Sequence, residues 1–101
     1  MSQAQPVPQS SQALFSDAVQ AGEERHTLVV LVDNEPGVLA RVIGLFSGRG
    51  YNIDSLTVAE IDTANALSRI NIVTTGTPLV IEQIKNLLGK LVPVHSVLDL
   101  T

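Results

Sequence analysis

The run Leu28-Val29-Val30-Leu31-Val32 constrains this chain more than any other stretch, because an extended segment points successive side chains to opposite faces and this one is apolar on both. It reads as a buried strand that needs cover on two sides. The 101-residue chain is 45% apolar but only 3% aromatic, so its core has to be assembled from Val, Ile and Leu, which suits strands covered by helices. A single domain of this size buries roughly 60 to 70% of the surface its unfolded chain exposes, so oligomerisation would add usefully to its stability.

Around that run the chain divides cleanly. Residues 1–24 are rich in Gln, Ser, Ala and Pro and carry no basic residue, which predicts a flexible leader. Within it Leu14, Phe15, Ala18 and Val19 have the spacing of a short helix. The first strand starts at His26 and ends before Asn34-Glu35-Pro36-Gly37, where Pro36 suits a first helical turn. Val38, Leu39, Val42, Ile43 and Phe46 then form the apolar stripe of a helix that Gly50 closes as a left-handed cap. Tyr51 to Glu60 and Ala66 to Thr74 read as a strand hairpin about the polar turn at Asp62. Thr77-Pro78 opens a second helix running to about Leu88, and Val92 to Leu98 supplies a last strand. The order β-α-β-β-α-β predicts an α+β, ferredoxin-like sandwich: a four-stranded antiparallel sheet with two helices on one face. The other face is left bare, so a second copy or a partner is expected to cover it.

Several functions are disfavoured by composition. With a net charge of −4 and six Lys plus Arg, the chain has neither the cationic stripe nor the stacking rings that nucleic acid binding uses, and a membrane surface fits no better. The absence of cysteine removes disulfides, thiol catalysis and cysteine-based metal sites. No apolar run approaches the ~20 residues of a membrane span and the start has no basic n-region, which makes the cytoplasm the expected compartment. His26 and His95 have no partners at triad or metal spacing and read as strand-end residues. The carboxylates each have a capping or solubility explanation: Glu23 and Glu24 in the leader, Asp33 and Glu35 at a turn, Glu60 and Asp62 at the hairpin. An acylphosphatase-like enzyme would rest on Arg41 and Asn71 alone.

The stretch Asp33 to Leu39 is more informative. A helix N-terminus offers free N–H groups and a partial positive charge, and Gly37 leaves room for a carboxylate to approach it. Asn34, just ahead of the turn, carries both a donor and an acceptor, as recognition of an amino acid requires. Taken singly, Asn34 is better explained as a helix cap and Gly37 as a turn residue; taken together they point slightly toward a ligand site.

With these residues in view, the span His26 to Thr101 resembles an ACT domain, and more narrowly the small regulatory subunits of acetohydroxyacid synthase (acetolactate synthase). The match is carried by VDNEPGVLARVIGLFSGRGYNIDSLTVA, above all by Arg41-Val42-Ile43-Gly44-Leu45-Phe46 and Arg49-Gly50-Tyr51-Asn52-Ile53-Asp54-Ser55-Leu56-Thr57-Val58, with support from Leu67-Ser68-Arg69 and from Glu82-Gln83-Ile84 with Lys90-Leu91-Val92. The resemblance assigns residues 25–101 to the ACT domain. It implies a non-catalytic subunit that activates a catalytic large subunit and confers feedback inhibition by valine, leucine or isoleucine, valine foremost. It further implies a homodimer with the amino acid at its interface, Asn34, Gly37, Val38 and Leu39 on one protomer and Asn52 and Ile53 on the other. No cofactor is expected on this chain, since thiamine diphosphate, Mg and FAD would belong to the catalytic subunit. A free-standing ACT sensor of another pathway would keep Pro36-Gly37-Val38-Leu39 without needing Gly50-Tyr51-Asn52-Ile53. Such subunits usually continue into a second C-terminal domain, whereas this sequence stops at Thr101, as a truncated one would.

Overall fold

A computed structural model describes residues 22–101, so the helical spacing at Leu14, Phe15, Ala18 and Val19 lies outside the described residues. Six elements follow: β1 Glu24–Asp33, α1 Val38–Arg49, β2 Ser55–Asp62, β3 Leu67–Gly76, α2 Pro78–Gly89 and β4 Val94–Asp99. Glu24, assigned above to the leader, is the first residue of β1, where the His26 ring meets its carboxylate at 2.7 Å. The strands form one antiparallel sheet in the order β2-β3-β1-β4, with both helices on one face, the predicted ferredoxin-like arrangement.

β1 is interior, paired with β3 along its whole length and with β4 from Leu28 to Val32. Alternation sorts its apolar run as the pleat requires. Leu28, Val30 and Val32 are at most 2% exposed, and with Ile70 and Ile72 they form the floor for Val42 and Phe46 of α1 and Ile81, Ile84 and Leu88 of α2. On the opposite face Val29, Leu31 and Val73 are half-buried and Leu98 is exposed, so among the described residues the run is fully covered on one side only.

The element ends follow local chemistry. Pro36 is not in the first turn of α1, because Gly37 at φ 85° turns the chain once more before the helix starts at Val38. Gly50 closes α1 as expected at φ 70°, with the Tyr51 N–H donating to the Phe46 carbonyl at 2.9 Å. α2 has the predicted start: the Thr77 hydroxyl accepts from the Val80 N–H and Pro78 takes the first turn. β2 opens at Ser55, four residues later than Tyr51, since the intervening chain is tied inward instead of laddered. Tyr51 and Phe46 pack in a T-shaped pair with ring centroids 6.2 Å apart, the Thr74 hydroxyl donates to the Asn52 carbonyl, and the Asp54 N–H donates to the Val73 carbonyl. Val92, 93% exposed, belongs to the loop before β4.

β1 and β4 meet where one begins and the other ends. The Leu100 N–H donates to the Thr27 carbonyl at 2.9 Å and the Thr27 N–H to the Thr101 hydroxyl at 3.1 Å.

Candidate ligand site

The start of α1 carries no side-chain cap. Its first i→i−4 bond runs from the Arg41 N–H to the Gly37 carbonyl, and the Val38 N–H is taken by Glu35, which leaves Leu39 and Ala40 as the N–H groups without an i−4 partner. Asn34 does not supply the cap either. Its side-chain amide donates across to Glu60 on β2 at 3.0 Å, and this fixes the side chain while its own oxygen stays an available acceptor. A Cβ on Gly37 would meet nothing within 4 Å, so backbone conformation demands the glycine there, and open space lies beside it.

A cavity of about 190 Å³ opens at this helix start, lined by Asn34, Val38 and Leu39 together with Val32, Val58, Ser68 and Ile70. Four of the predicted residues, Asn34, Gly37, Val38 and Leu39, are thus gathered at one end of α1. Asn52 and Ile53 are at the other end. Asn52 lines a separate cavity of about 500 Å³ with Arg49, Gly50 and Thr77, and its amide donates to Asp54 at 2.6 Å, while Ile53 is half-buried against the core. Twelve helical residues at 1.5 Å each put about 18 Å between the two groups, so a single chain does not bring them together.

α1 also presents more apolar surface than its own core uses. Val38, Val42 and Phe46 turn inward, but Leu39 and Ile43 are 39% and 41% exposed, and Val58 of β2 is 49% exposed. β2 is an edge strand, paired only with β3 among the described residues.

Several other polar groups have structural partners, whereas the buried Asn71 Oδ1 has none among the described residues. His26 lies between Glu24 and Asp99, each 2.7 Å from a ring nitrogen, and Lys85 approaches Asp99 at 3.4 Å and Glu82 at 2.7 Å. Only an imidazolium can donate from both nitrogens. The Glu24 hydrogen bond, aided by Asp99, raises the His26 pKa against the effect of burial. Burial pushes the Asp99 carboxyl up, but the Thr101 N–H and His26 outweigh it and hold the group at about 2. A raised His pKa contributes stability below the unfolded value near 6.5 that is lost as pH rises through the folded one, and a lowered Asp pKa contributes stability above 3.8 that is lost as pH falls toward 2. Both contributions are present between about pH 4 and 6.5. His26→Ala is therefore expected to cost about 1 kcal/mol in urea unfolding at pH 5.5 and clearly less at pH 9.5; an equal cost at both would remove the charge from the account.

His95 sits 2.6 Å from Asp33, and no group of three or more metal-ligating side chains occurs among the described residues. Asp62 accepts from the backbone and side chain of Asn65, which lowers its pKa, in keeping with its expected turn role. Arg41 lies on α1, whereas Asn71 alternates with Ile70 and Ile72 and so faces away from the helices, which dissolves the acylphosphatase pairing. No helix among the described residues is long and apolar enough to cross a membrane. Sequence reasoning missed Glu60 as the partner of Asn34 and Ser68 as a cavity residue. The signal for Ser68 was its phase, a polar residue in step with Ile70 and Ile72 on the buried side of β3.

Comparison with known proteins places these features among relatives. Residues 28–96 match the family model described as AHAS small subunit-like ACT domain. The chain is 57% identical over 76 residues to the acetolactate synthase isozyme 3 small subunit of Escherichia coli, covering 75% of this chain and 46% of that one. It is 49% identical over 77 residues to a probable acetolactate synthase small subunit of Archaeoglobus fulgidus, covering 76% and 48%. The crystal structure of the acetolactate synthase small subunit from Thermotoga maritima superposes with a TM-score of 0.69 at 43% identity, covering 75% of this chain and 47% of that one. An ACT domain from GTP pyrophosphokinase of Chlorobium tepidum, 14% identical with a TM-score of 0.64 over 78% of this chain and 88% of its own, shares the fold. The chain spans about half the length of the curated relatives it matches.

Proposed function

This chain belongs to the family of AHAS small subunit-like ACT domains, and on that premise we propose that it is a non-catalytic regulatory module of acetolactate synthase that binds a branched-chain amino acid, valine foremost. In this reading it pairs with a second copy, activates the catalytic large subunit and mediates its feedback inhibition. Thiamine diphosphate, magnesium and FAD belong to that catalytic subunit, and the cytoplasm is the compartment.

The observation that carries the proposal is the separation of the two halves of the site along α1. A two-fold axis beside the β2 edge sets two α1 helices antiparallel, so that the uncapped start of one lies opposite Asn52 and Ile53 of its partner. Leu39, Ile43 and Val58 are the exposed apolar residues such a pairing buries, and the open β2 edges extend one sheet into the next. Symmetry then makes two equal pockets. In each, the N–H groups of Leu39 and Ala40 receive the ligand carboxylate, the asparagine oxygens face its ammonium, and Val32, Val58 and Ile70 meet the branched side chain. A ligand held between protomers stabilises the pair by mass action, so binding is reported as a change in assembly.

Isothermal titration with valine, leucine and isoleucine, with oligomeric state followed by light scattering in the same buffers, tests this directly. Saturable binding of two ligands per dimer is expected, with dissociation on dilution suppressed by ligand. A folded dimer that binds none of the three would point to an ACT sensor for another ligand, and capture of a thiamine-diphosphate enzyme by the immobilised chain separates those cases.

A further inference from the structure

We infer that the Ser68 hydroxyl is a direct contact for the ammonium group of an amino acid seated at the start of α1, an inference that rests on the sensing role proposed above. Two polar residues are buried among the described residues, Ser68 at 4% and Thr74 at 0% exposure, both on the helix-facing side of β3. They are treated differently. The Thr74 hydroxyl is satisfied by the Asn52 carbonyl at 2.5 Å, whereas among the described residues no hydrogen bond engages the Ser68 hydroxyl. Among the described residues the buried side-chain oxygen that lacks a partner is that of Asn71, on the other face of the sheet, so the Ser68 hydroxyl is not sealed in the core and is free to meet a ligand. Ser68 lines the cavity at the start of α1.

The register explains why the hydroxyl belongs with that site. Ser68 pairs with Val32 on one side and with Glu60 on the other, which puts it under the turn that carries Asn34. Glu60 in turn holds the Asn34 amide nitrogen, so Asn34, with its oxygen left to accept, and Ser68 line one cavity. Asp33, whose carboxylate His95 meets at 2.6 Å, and Glu35 border it as well, and carboxylates favour a cation over an anion beside them. The donors that suit a carboxylate are the backbone N–H groups of α1, so the acceptors are matched to the opposite end of the ligand. An ammonium with three N–H bonds has use for both oxygens.

Ser68→Ala tests the assignment because it deletes the contact without creating a polar group to bury. Titration with valine is expected to show affinity about tenfold weaker than wild type, the size of one hydrogen bond to a charged group, while thermal unfolding without ligand is unchanged or moves upward. The affinity for 3-methylbutanoate, which is valine without its amino group, measured by displacement of valine, is expected to stay the same. Unchanged valine affinity in the variant overturns the contact while leaving the sensing role intact. Equal weakening of both ligands overturns the ammonium assignment, and a joint fall in affinity and melting temperature overturns it in favour of a structural hydroxyl. Failure of wild type to bind any branched-chain amino acid overturns the sensing role, and this inference with it.

Discussion

Gly37→Asp is expected to remove valine binding while leaving the domain folded. Gly37 stands at φ 85°, a conformation that costs most residues about 1–2 kcal/mol but that aspartate tolerates better than most. No atom lies within 4 Å of the added Cβ, so nothing is displaced. A carboxylate at the first position ahead of α1 also caps that helix and suits its positive end, which offsets the backbone strain. The same carboxylate occupies the N–H groups of Leu39 and Ala40 and repels the ligand's own. Hydrogen bonds to charged groups are worth about 1.5–3 kcal/mol each, so losing two of them weakens binding at least about a hundredfold. Calorimetry on a variant shown to be folded by circular dichroism checks this. Unchanged affinity would remove the start of α1 from the site.

Phe46→Ala is expected to produce the largest loss of stability. Phe46 is 0% exposed and the largest fully buried side chain in the core, between the sheet and α2, so its truncation costs about 3–5 kcal/mol in transfer and cavity energy. That is a large share of the 5–15 kcal/mol typical of a native domain, and the melting temperature falls by about 15 °C or more. The effect reaches the ligand site by a definite route. Phe46 meets the Tyr51 ring in a T-shaped contact, and its carbonyl takes the Tyr51 N–H at 2.9 Å, so it anchors the segment that carries Asn52 and Ile53. A thermal melt reads the first consequence and valine titration well below the melt reads the second. A shift of only a few degrees would mean that Leu45, Ile84 and Leu88 close over the gap.

The fold was legible because its signals are local and agree with one another. Thr77-Pro78, Gly50 and the stripe Val38, Val42, Phe46 each specify an element from within a few residues, and the structure forms the elements there. The errors occurred where a second interaction intervened. Pro36 is displaced from the helix by the left-handed turn at Gly37, and Tyr51 to Asp54 lose their strand pairing to Phe46, Val73 and Thr74. The same distinction governs the site. Asn34, Gly37, Val38 and Leu39 are contiguous, so their grouping at one end of α1 could be read directly. Glu60 and Ser68 join them only through the β1–β3 and β2–β3 registers, which no local pattern encodes. The Glu24–His26–Asp99 cluster was hidden for that reason too, since it joins residues 73 positions apart.

The meeting of β1 and β4 has a mechanical consequence. Glu24 opens the sheet and Asp99 closes it on adjacent strands at one end, pinned by His26. The start of α1 is at the far end of β1, about 30 Å away for ten extended residues. The far end is fastened too, by His95 at 2.6 Å from Asp33 and by the Asp33 N–H donating to the Pro93 carbonyl at 2.9 Å, so β4 clamps β1 at both ends. The side of the sheet left open to adjust when the pocket fills is therefore the β2 edge, unpaired among the described residues.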